Sequence, residues 1–237
     1  MSLLQTRGLT KRFAGLTAVH DVDFHLEEGR IRGLIGPNGA GKTTLVSLLC
    51  GRIEPTEGTV AFEGRDITHL PAHKRIQAGM AYTFQITSVF GDLSVAENVA
   101  LAARRRWHET NVDARVSEAI ARVGLPDAPE TPAGDLSYGH QRLLEIAMGV
   151  VQAPKLLIMD EPTQGLSDGE IVGFKALVRD VAKEATVLLI EHNMNVVMEL
   201  ADDITVLNFG EILAEGTPDE VRASEEVQSA YLGGDDA

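Results

Sequence analysis

The stretch that decides the fold is Gly36-Pro37-Asn38-Gly39-Ala40-Gly41-Lys42-Thr43-Thr44. It follows an apolar run of strand length, residues 31–35, and precedes a helix-forming run that reaches Cys50. The glycines allow the backbone to wrap closely around a polyphosphate, so that consecutive N–H groups and the N-terminus of the next helix face its oxygens. The stretch therefore predicts a strand, a phosphate-binding loop and a helix, in that order.

Two side chains of this loop supply a positive charge and a metal ligand. Lys42 is placed to pair with the terminal phosphates of a nucleotide, and the Thr43 hydroxyl is placed to bind Mg²⁺. We therefore expect a nucleoside triphosphate and Mg²⁺ as ligands, with residues 36–44 as the phosphate-binding group.

Composition excludes several other classes of protein. The net charge of −14 over 237 residues repels duplex phosphate and argues against a general nucleic-acid binder. The apolar runs, such as residues 186–190, are of strand length and fall far short of the ~18 residues that span a bilayer. The N-terminus lacks the basic and apolar regions of a secretory signal. The single cysteine, Cys50, is predicted to be a buried hydrophobe rather than a redox group, as expected for a cytosolic chain.

Hydrophobic periodicity predicts an α/β chain with a helical insertion. Alternating residues predict two antiparallel strand pairs, at 3–9 with 18–26 and at 58–62 with 65–67. The spacing of apolar residues then changes to that of a helix. Ser94 and Glu97 form a capping-box pattern, which predicts the start of a helix, and a second, amphipathic helix is predicted from Val112 to Val123.

The α/β alternation returns after residue 152. The predicted elements are a strand at 155–160, a helix near 169–184, a strand at 186–190, a helix near 193–201 and a strand at 204–208. We therefore predict one domain, 1–237, in which 1–91 and 153–237 form the nucleotide-binding core and 92–152 the insertion. The last residues, 233–237, are predicted to be a frayed tail.

The second half of the chain supplies carboxylates. Asp160 and Glu161 end an apolar strand, and the C-terminal ends of strands are where α/β sheets bind ligands. Asp160 is predicted to bind Mg²⁺, and Glu161 to polarise a water molecule against the terminal phosphate. His192 follows the next strand and is placed to hydrogen-bond a phosphate oxygen. The alternatives are a solvated strand end and a surface or packing histidine.

The chain resembles the nucleotide-binding subunit of an ATP-binding-cassette (ABC) transporter. The five motifs of that family occur in order: the phosphate-binding loop, a glutamine at Gln85, a signature at Leu136-Ser-Tyr-Gly-His-Gln141, the carboxylate strand and the histidine. The resemblance implies that Gln85 contacts Mg²⁺ and water, and that Ser137 and Gly139 bind the phosphates of a neighbouring subunit's nucleotide. Ser137 is also predicted to N-cap a helix that ends near Val151.

Other positions match or depart from the family pattern. Phe13 matches the aromatic residue that stacks on adenine, although a core position is the alternative for such a ring. Tyr138 and His140 depart from the commonest signature, Leu-Ser-Gly-Gly-Gln. Ser167 stands where many relatives carry an aspartate, and Asp168 follows one position later.

Weaker similarities point to one branch of the family, the branched-chain amino-acid importers. They lie in the segments 136–139, 161–166, 190–194 and 216–233. The resemblance implies a RecA-like core with an N-terminal antiparallel β region, ATP hydrolysis, and peripheral attachment to the cytoplasmic face of the membrane. The implied partners are polytopic permeases, a second ATPase subunit of the same or a paralogous chain, and a periplasmic or extracellular substrate-binding protein, with no nucleic acid.

Rival functions are an ATPase of a urea or amide importer, a lipopolysaccharide exporter ATPase, and a soluble cassette protein of DNA repair or translation. The last class carries a long coiled-coil insertion or two tandem cassettes, and neither occurs in this sequence. A regulatory module that binds ATP without hydrolysis is disfavoured by Glu161.

Overall fold

The computed structural model describes residues 2–83, 88–107, 111–125 and 129–232. The chain forms two compact units: the first takes in the chain up to Ala78 and again from Thr186, and the second is Gly79–Ala185. Gln85 and the predicted tail at 233–237 lie outside the described residues. In the described part of the chain, no helix combines the length and the apolar composition that a membrane span requires.

The secondary structure follows the chain in an α/β order. The strands are β1 (Ser2–Phe13), β2 (Leu16–Val22), β3 (His25–Glu27), β4 (Ile31–Ile35), β5 (Glu57–Phe62), β6 (Arg65–Asp66), β7 (Met80–Thr83), β8 (Leu156–Asp160), β9 (Thr186–Ile190), β10 (Asp203–Asn208) and β11 (Glu211–Gly216). The helices are α1 (Lys42–Leu49), α2 (Ala72–Gln77), α3 (Val95–Ala103), α4 (Val112–Arg122), α5 (Tyr138–Val150), α6 (Asp168–Val181), α7 (Met194–Leu200), α8 (Pro218–Ala223) and α9 (Glu225–Leu232).

The first unit contains an antiparallel sheet in the order β2-β1-β5-β6, with β3 also paired to β1. Both predicted strand pairs are thereby confirmed, but the strand predicted over 18–26 is divided into β2 and β3. At the division, two backbone N–H groups donate to side chains: Phe24 to the Thr6 hydroxyl at 2.8 Å, and Gly8 to the Asp23 carboxylate at 2.7 Å. Such bonds compete with a regular ladder and so interrupt the strand.

Four further strands of the first unit pair in the order β11-β10-β4-β9. Strands β10, β4 and β9 are parallel, whereas β11 returns antiparallel to β10. Every residue of β4 and β9 is buried, as in parallel strands that are covered on both faces. Strand β4 leads directly into the predicted phosphate-binding loop.

The helix that carries this loop is held at its far end by a buried arginine. Arg75 is 1% exposed and donates to four backbone carbonyls, those of Leu48, Leu49, Thr68 and Leu70, at 2.8–2.9 Å. Leu48 and Leu49 end α1, and a cation at a helix C-terminus satisfies its orphan carbonyls and complements its dipole.

The second unit combines the parallel pair β7-β8 with helices α3 to α6. The predicted capping box is confirmed: the Ser94 hydroxyl accepts from the Glu97 N–H, and the Glu97 carboxylate accepts from the Ser94 N–H. Helix α4 ends at Arg122, with Val123 as its C-cap and Gly124 in the left-handed region (φ +70°). Helix α6 is shorter than predicted and ends at Val181. The insertion boundaries at 92 and 152 stay a prediction.

Candidate nucleotide-binding site

The loop between β4 and α1 is pressed tightly against its neighbours. At Gly36 (φ +152°) an added Cβ atom would lie 2.1 Å from the Leu207 carbonyl oxygen, and at Gly41 (φ +101°) it would lie 2.4 Å from the Ala18 carbonyl oxygen. Neither position tolerates a side chain. The Gly210 N–H donates to the Ala40 carbonyl at 2.9 Å and ties the loop to the β10–β11 turn. The loop is therefore held in shape by its surroundings.

Lys42 folds back over this loop. The side chain is 7% exposed, and its Nζ donates to the carbonyls of Gly36 at 2.5 Å and of Pro37 at 3.0 Å. Thr43 is exposed and Thr44 is half-buried at the start of α1. The loop thus presents a cation and a hydroxyl beside a helix N-terminus, which is the chemistry that anionic phosphates require.

Phe13 is not part of the core. It ends β1 opposite Leu16, and its ring is 45% exposed. The Lys11 Nζ lies 5.1 Å from the ring centroid, within the range of a cation–π contact. The core alternative for Phe13 is therefore wrong.

His192 lies on a turn of the first unit that is held by hydrogen bonds. Its side chain is exposed between β9 and α7, and Asn193 N-caps α7 by accepting from the Val196 N–H. The buried carboxylate of Glu191 accepts from the backbone N–H groups of His192 and Asn193 at 3.1 and 3.3 Å. These bonds fix the backbone that carries the imidazole.

In the second unit, the two predicted carboxylates end β8. Asp160 is 2% exposed, and its Oδ2 accepts from the Tyr82 hydroxyl at 2.8 Å. Glu161 is half-buried, and its backbone lies in the left-handed region (φ +50°). A non-glycine residue in this region is costly unless its surroundings hold it there, and such strain concentrates at functional sites.

Arg142 on α5 supplies part of that support. The side chain is fully buried, and its Nη2 donates to the carbonyls of Asp160 at 3.2 Å and Glu161 at 2.9 Å. Its Nη1 pairs with the Glu145 carboxylate at 2.7 Å. Sequence reasoning missed both Arg142 and Tyr82. The available signals were an Arg–Glu pair at i,i+3 in a helix and a tyrosine in a short apolar strand.

The signature segment begins α5. Ser137 is the N-cap, as predicted, and its hydroxyl accepts from the His140 N–H at 3.3 Å. Gly139 is buried against Leu166 and Glu170: an added Cβ would lie 2.7 Å from a Glu170 carboxylate oxygen. The start of α5 therefore packs on the loop before α6.

Tyr138 also contacts the loop before α6. Its ring is 44% exposed and covers Gly165, where an added Cβ would lie 2.4 Å from a ring carbon. Gly165 has a φ of +79°, so this position favours glycine for two independent reasons. The tyrosine in the signature thus links it to the loop that follows Glu161.

Ser167, the other departure from the family pattern, is the N-cap of α6. Its hydroxyl and backbone N–H both contact the Glu170 carboxylate, at 2.6 and 2.8 Å, in a capping box. The bond from Ser167 lowers the pKa of Glu170. Asp168 then occupies the first helical turn, where a negative charge is favourable.

The predicted residues fall into two groups. Phe13, the loop 36–44 and His192 belong to the first unit; Ser137, Gly139, Asp160 and Glu161 belong to the second. The predicted roles of both groups, and of Gln85, stay predictions. Cys50 is buried at the end of α1, as predicted.

Comparison with known proteins identifies the family. Residues 19–164 match the model of the family described as ABC transporter, and residues 211–237 match the branched-chain amino acid ATP-binding cassette transporter model. The high-affinity branched-chain amino acid transport ATP-binding protein BraF of Pseudomonas aeruginosa is 41% identical over 98% of both chains. LivG of Salmonella typhimurium, which bears the same description, is 39% identical over 98% of both.

A solved structure agrees over the whole fold. The ADP conformation of MJ1267, an ATP-binding cassette of an ABC transporter, has a TM-score of 0.87 at 28% identity and covers 98% of this chain and 99% of that one. The chain belongs to the ABC transporter family and is an ATPase of that family. The predicted fold class, an α/β RecA-like core with an antiparallel β region and an inserted helical subdomain, is confirmed.

Proposed function

We propose that the protein is the ATP-hydrolysing subunit of an importer for branched-chain amino acids. The observation that carries this proposal is the end-to-end similarity to BraF, 41% over 98% of both chains, together with the C-terminal match at residues 211–237. The second match matters because it covers a segment of the chain that lies beyond residue 164, where the match to the general ABC transporter model ends.

The first unit binds the nucleotide in this proposal. The loop 36–44 surrounds the phosphates with backbone N–H groups, and Lys42 exchanges the carbonyls of Gly36 and Pro37 for phosphate oxygens. The half-exposed ring of Phe13 stacks on adenine in place of the Lys11 ammonium. His192 donates a hydrogen bond to a phosphate oxygen.

The second unit supplies the carboxylates for hydrolysis. The chemistry of the donor set fits Mg²⁺: the Asp160 carboxylate, the Thr43 hydroxyl and the Gln85 amide are the hard oxygen ligands that this ion prefers. When bound, Mg²⁺ neutralises phosphate charge. Glu161 accepts a proton from the attacking water, and Arg142 holds the strained backbone of Glu161 so that the carboxylate is positioned for that transfer.

Two such subunits form the working unit. Because one chain carries a single copy of each motif, each site combines the loop 36–44, Asp160, Glu161 and His192 of one chain with Ser137 and Gly139 of the other. The partner is a second copy or a paralogous ATPase. Polytopic permeases hold the dimer at the cytoplasmic face of the membrane, and a periplasmic or extracellular binding protein delivers the substrate.

Deletion of the gene, followed by uptake measurements with labelled leucine, urea and an aromatic acid, tests the proposal. We expect leucine uptake to fall and urea uptake to stay intact. Restoration by the wild-type gene but not by the Glu161→Gln gene ties the loss to ATP hydrolysis. Intact leucine uptake with loss of another substrate would contradict the substrate assignment and leave the ATPase assignment standing.

A further inference from the structure

Two residues of α5 contact the loop that connects Glu161 to α6. The ring of Tyr138 covers Gly165: a Cβ atom added at Gly165 would lie 2.4 and 2.7 Å from two of the ring carbons. One helical turn further on, Arg142 donates to the Glu161 carbonyl at 2.9 Å. Because Tyr138 and Arg142 are four positions apart, they share one face of the helix. That face therefore contacts the loop at Glu161 and again at Gly165.

The segment between these two contacts is short and closed by turns. The Gln164 N–H donates to the Glu161 carbonyl at 3.2 Å, and the Leu166 N–H donates to the Thr163 carbonyl at 3.1 Å. Thr163 is 7% exposed, so the middle of the segment is buried. Only three residues separate Glu161 from Gly165. A displacement of Gly165 therefore has few backbone torsions to absorb it before it reaches Glu161.

Both ends of the segment lie in the left-handed region of the backbone. The φ angle is +50° at Glu161 and +79° at Gly165. This conformation is unfavourable for Glu161, which carries a Cβ atom, and it persists only where the surroundings hold it. Glycine adopts it readily and leaves the space that the ring of Tyr138 fills. The ring therefore opposes a relaxation of the segment that would redirect the Glu161 carboxylate.

The residue next to Tyr138 extends the contact to the start of α6. A Cβ atom added at Gly139 would lie 2.7 Å from a Glu170 carboxylate oxygen and 3.2 Å from a side-chain carbon of Leu166. The Ser167 hydroxyl donates to the same Glu170 carboxylate at 2.6 Å. The commonest signature of the family carries glycine in place of Tyr138, and glycine has no ring to cover the loop. Tyr138 thus adds a support that the commonest signature lacks.

We propose that Tyr138 is a positioning residue for ATP hydrolysis: its ring holds Gly165 and, through it, the segment that carries the Glu161 carboxylate. The inference rests on the proposed function, in which Glu161 accepts a proton from the attacking water. It gives the tyrosine of the signature a role within its own chain. Carbon atoms of the ring make the contact. Tyr138→Phe therefore keeps the contact, and Tyr138→Ala removes it.

Steady-state ATPase assays on the full-length chain test the role. The ring of Tyr138 is 44% exposed, so its removal should not prevent folding. Tyr138→Ala is expected to lower kcat about 5- to 20-fold, within the loss of up to roughly 10²-fold that a small misplacement of a reacting group can cause. The affinity of the monomer for ATP should stay unchanged. Tyr138→Phe is expected to retain the wild-type kcat. A wild-type kcat in Tyr138→Ala would overturn the proposal, as would an equal loss in Tyr138→Phe.

The Glu161→Gln background separates support of Glu161 from contact with the partner's nucleotide. Hydrolysis is blocked in this background, and ATP-dependent dimer formation, followed by size-exclusion chromatography, reports on the signature. We expect Tyr138→Ala to leave dimer formation unchanged and Ser137→Ala to weaken it. An equal loss of dimer in the two variants would overturn the proposal, because the ring would then act on the partner's nucleotide.

Gly165→Ala tests the contact from the loop. The added Cβ meets the ring in the wild-type background and meets no ring in Tyr138→Ala, whereas the positive φ of this position opposes alanine in both. Gly165→Ala should therefore lower kcat by a larger factor in the wild-type background than in Tyr138→Ala. Equal factors would show that the ring and the glycine act independently and would contradict the proposal.

Hydrogen exchange of residues 163–167 in the nucleotide-free protein gives a readout that does not depend on catalysis. Exchange is expected to be faster in Tyr138→Ala than in wild type and unchanged in Tyr138→Phe. Wild-type exchange in Tyr138→Ala would overturn the hold of the ring on the loop. Retained hydrolysis in Glu161→Gln would instead contradict the base assigned in the proposed function, so the two failures are distinguishable.

Discussion

The hydroxyl of Tyr82 donates a 2.8 Å hydrogen bond to Oδ2 of Asp160, the carboxylate proposed to bind Mg²⁺. The two residues lie on neighbouring parallel strands, where Tyr82 is paired with Ile158, two positions before Asp160. Asp160 is 2% exposed, so a protein donor satisfies one of its oxygens where little water reaches. The bond fixes the rotamer of the carboxylate before any ligand arrives.

Tyr82→Phe tests this orientation. The variant keeps the ring and loses the donor, so we expect the Mg²⁺ concentration for half-maximal ATPase activity to rise by about 3- to 10-fold, the equivalent of one hydrogen bond. Nucleotide affinity measured without Mg²⁺ should stay at the wild-type value. Steady-state ATPase assays across a Mg²⁺ series provide the measurement, and an unchanged Mg²⁺ dependence would refute the role of the hydroxyl.

Glu161→Gln tests the proposed base. The amide is nearly isosteric, and so the strained backbone and its bond to Arg142 should survive, whereas proton acceptance is lost. We expect turnover to fall by roughly 10²- to 10⁴-fold, the usual contribution of a general base, while ATP binding persists. Size-exclusion chromatography with ATP should then reveal a stabilised dimer. Hydrolysis within two- or three-fold of wild type would show that another group performs this step.

Much of the fold could be predicted because its signals are local. The capping box of Ser94 and Glu97 depends on residues three positions apart, and both of its hydrogen bonds are present. The signal of the loop 36–44 is equally local, because its glycines, lysine and threonines lie within one short consecutive stretch. The helix cap at Ser137 was predictable for the same reason.

The supporting residues of the candidate site could not be predicted in the same way. Arg142 reaches Glu161 from 19 positions away, and Tyr82 reaches Asp160 from 78 positions away. No short-range pattern encodes which strand or helix will pack beside a given carboxylate. The strand predicted over 18–26 is divided for a related reason, since the Thr6 hydroxyl and the Asp23 carboxylate accept hydrogen bonds from the backbone N–H groups of Phe24 and Gly8 at the division.

Phe13→Ala tests adenine stacking. We expect a loss of about 0.5–1.5 kcal/mol in nucleotide affinity, the typical value of an aromatic stack, and a similar loss for ATP and GTP because stacking discriminates poorly between purines. Leu16→Ala is the matched control, since Leu16 pairs with Phe13 across the same hairpin and is 67% exposed. Fluorescence titration provides the affinities. Equal effects of the two substitutions would argue against a specific stack.

Arg75→Met tests the support of α1. The substitution retains the aliphatic length but leaves four backbone carbonyls, three of them in buried contacts, without their charged donor. We expect a loss of about 2–4 kcal/mol in the free energy of unfolding, with the unfolding temperature falling by roughly 2–4 °C per kcal/mol. Arg65→Met, at an exposed position on β6, should change stability little. A stable Arg75→Met protein would mean that water or other donors replace the guanidinium.

Mixing of two chains that are each impaired in hydrolysis tests whether the sites are shared between subunits. Ser137→Ala should impair hydrolysis without weakening nucleotide binding to the monomer, because the hydroxyl acts on the partner's nucleotide. In a dimer of one Ser137→Ala chain and one Glu161→Gln chain, both defects fall in the same composite site. The other site then contains an intact Glu161 and an intact Ser137, so the mixture should hydrolyse ATP faster than either variant alone.

The control is a mixture of Glu161→Gln with the Ser137→Ala, Glu161→Gln double variant, in which both sites lack the base and no activity should return. Differently tagged chains allow the mixed dimer to be isolated before the assay, so that activity is referred to a known amount of it. If the isolated mixed dimer is no more active than the single variants, independent sites shared across the interface are ruled out. Recovered activity would assign Ser137 to the neighbouring subunit's site. If each site were built within one chain, both sites of the mixed dimer would carry a defect and no activity would return.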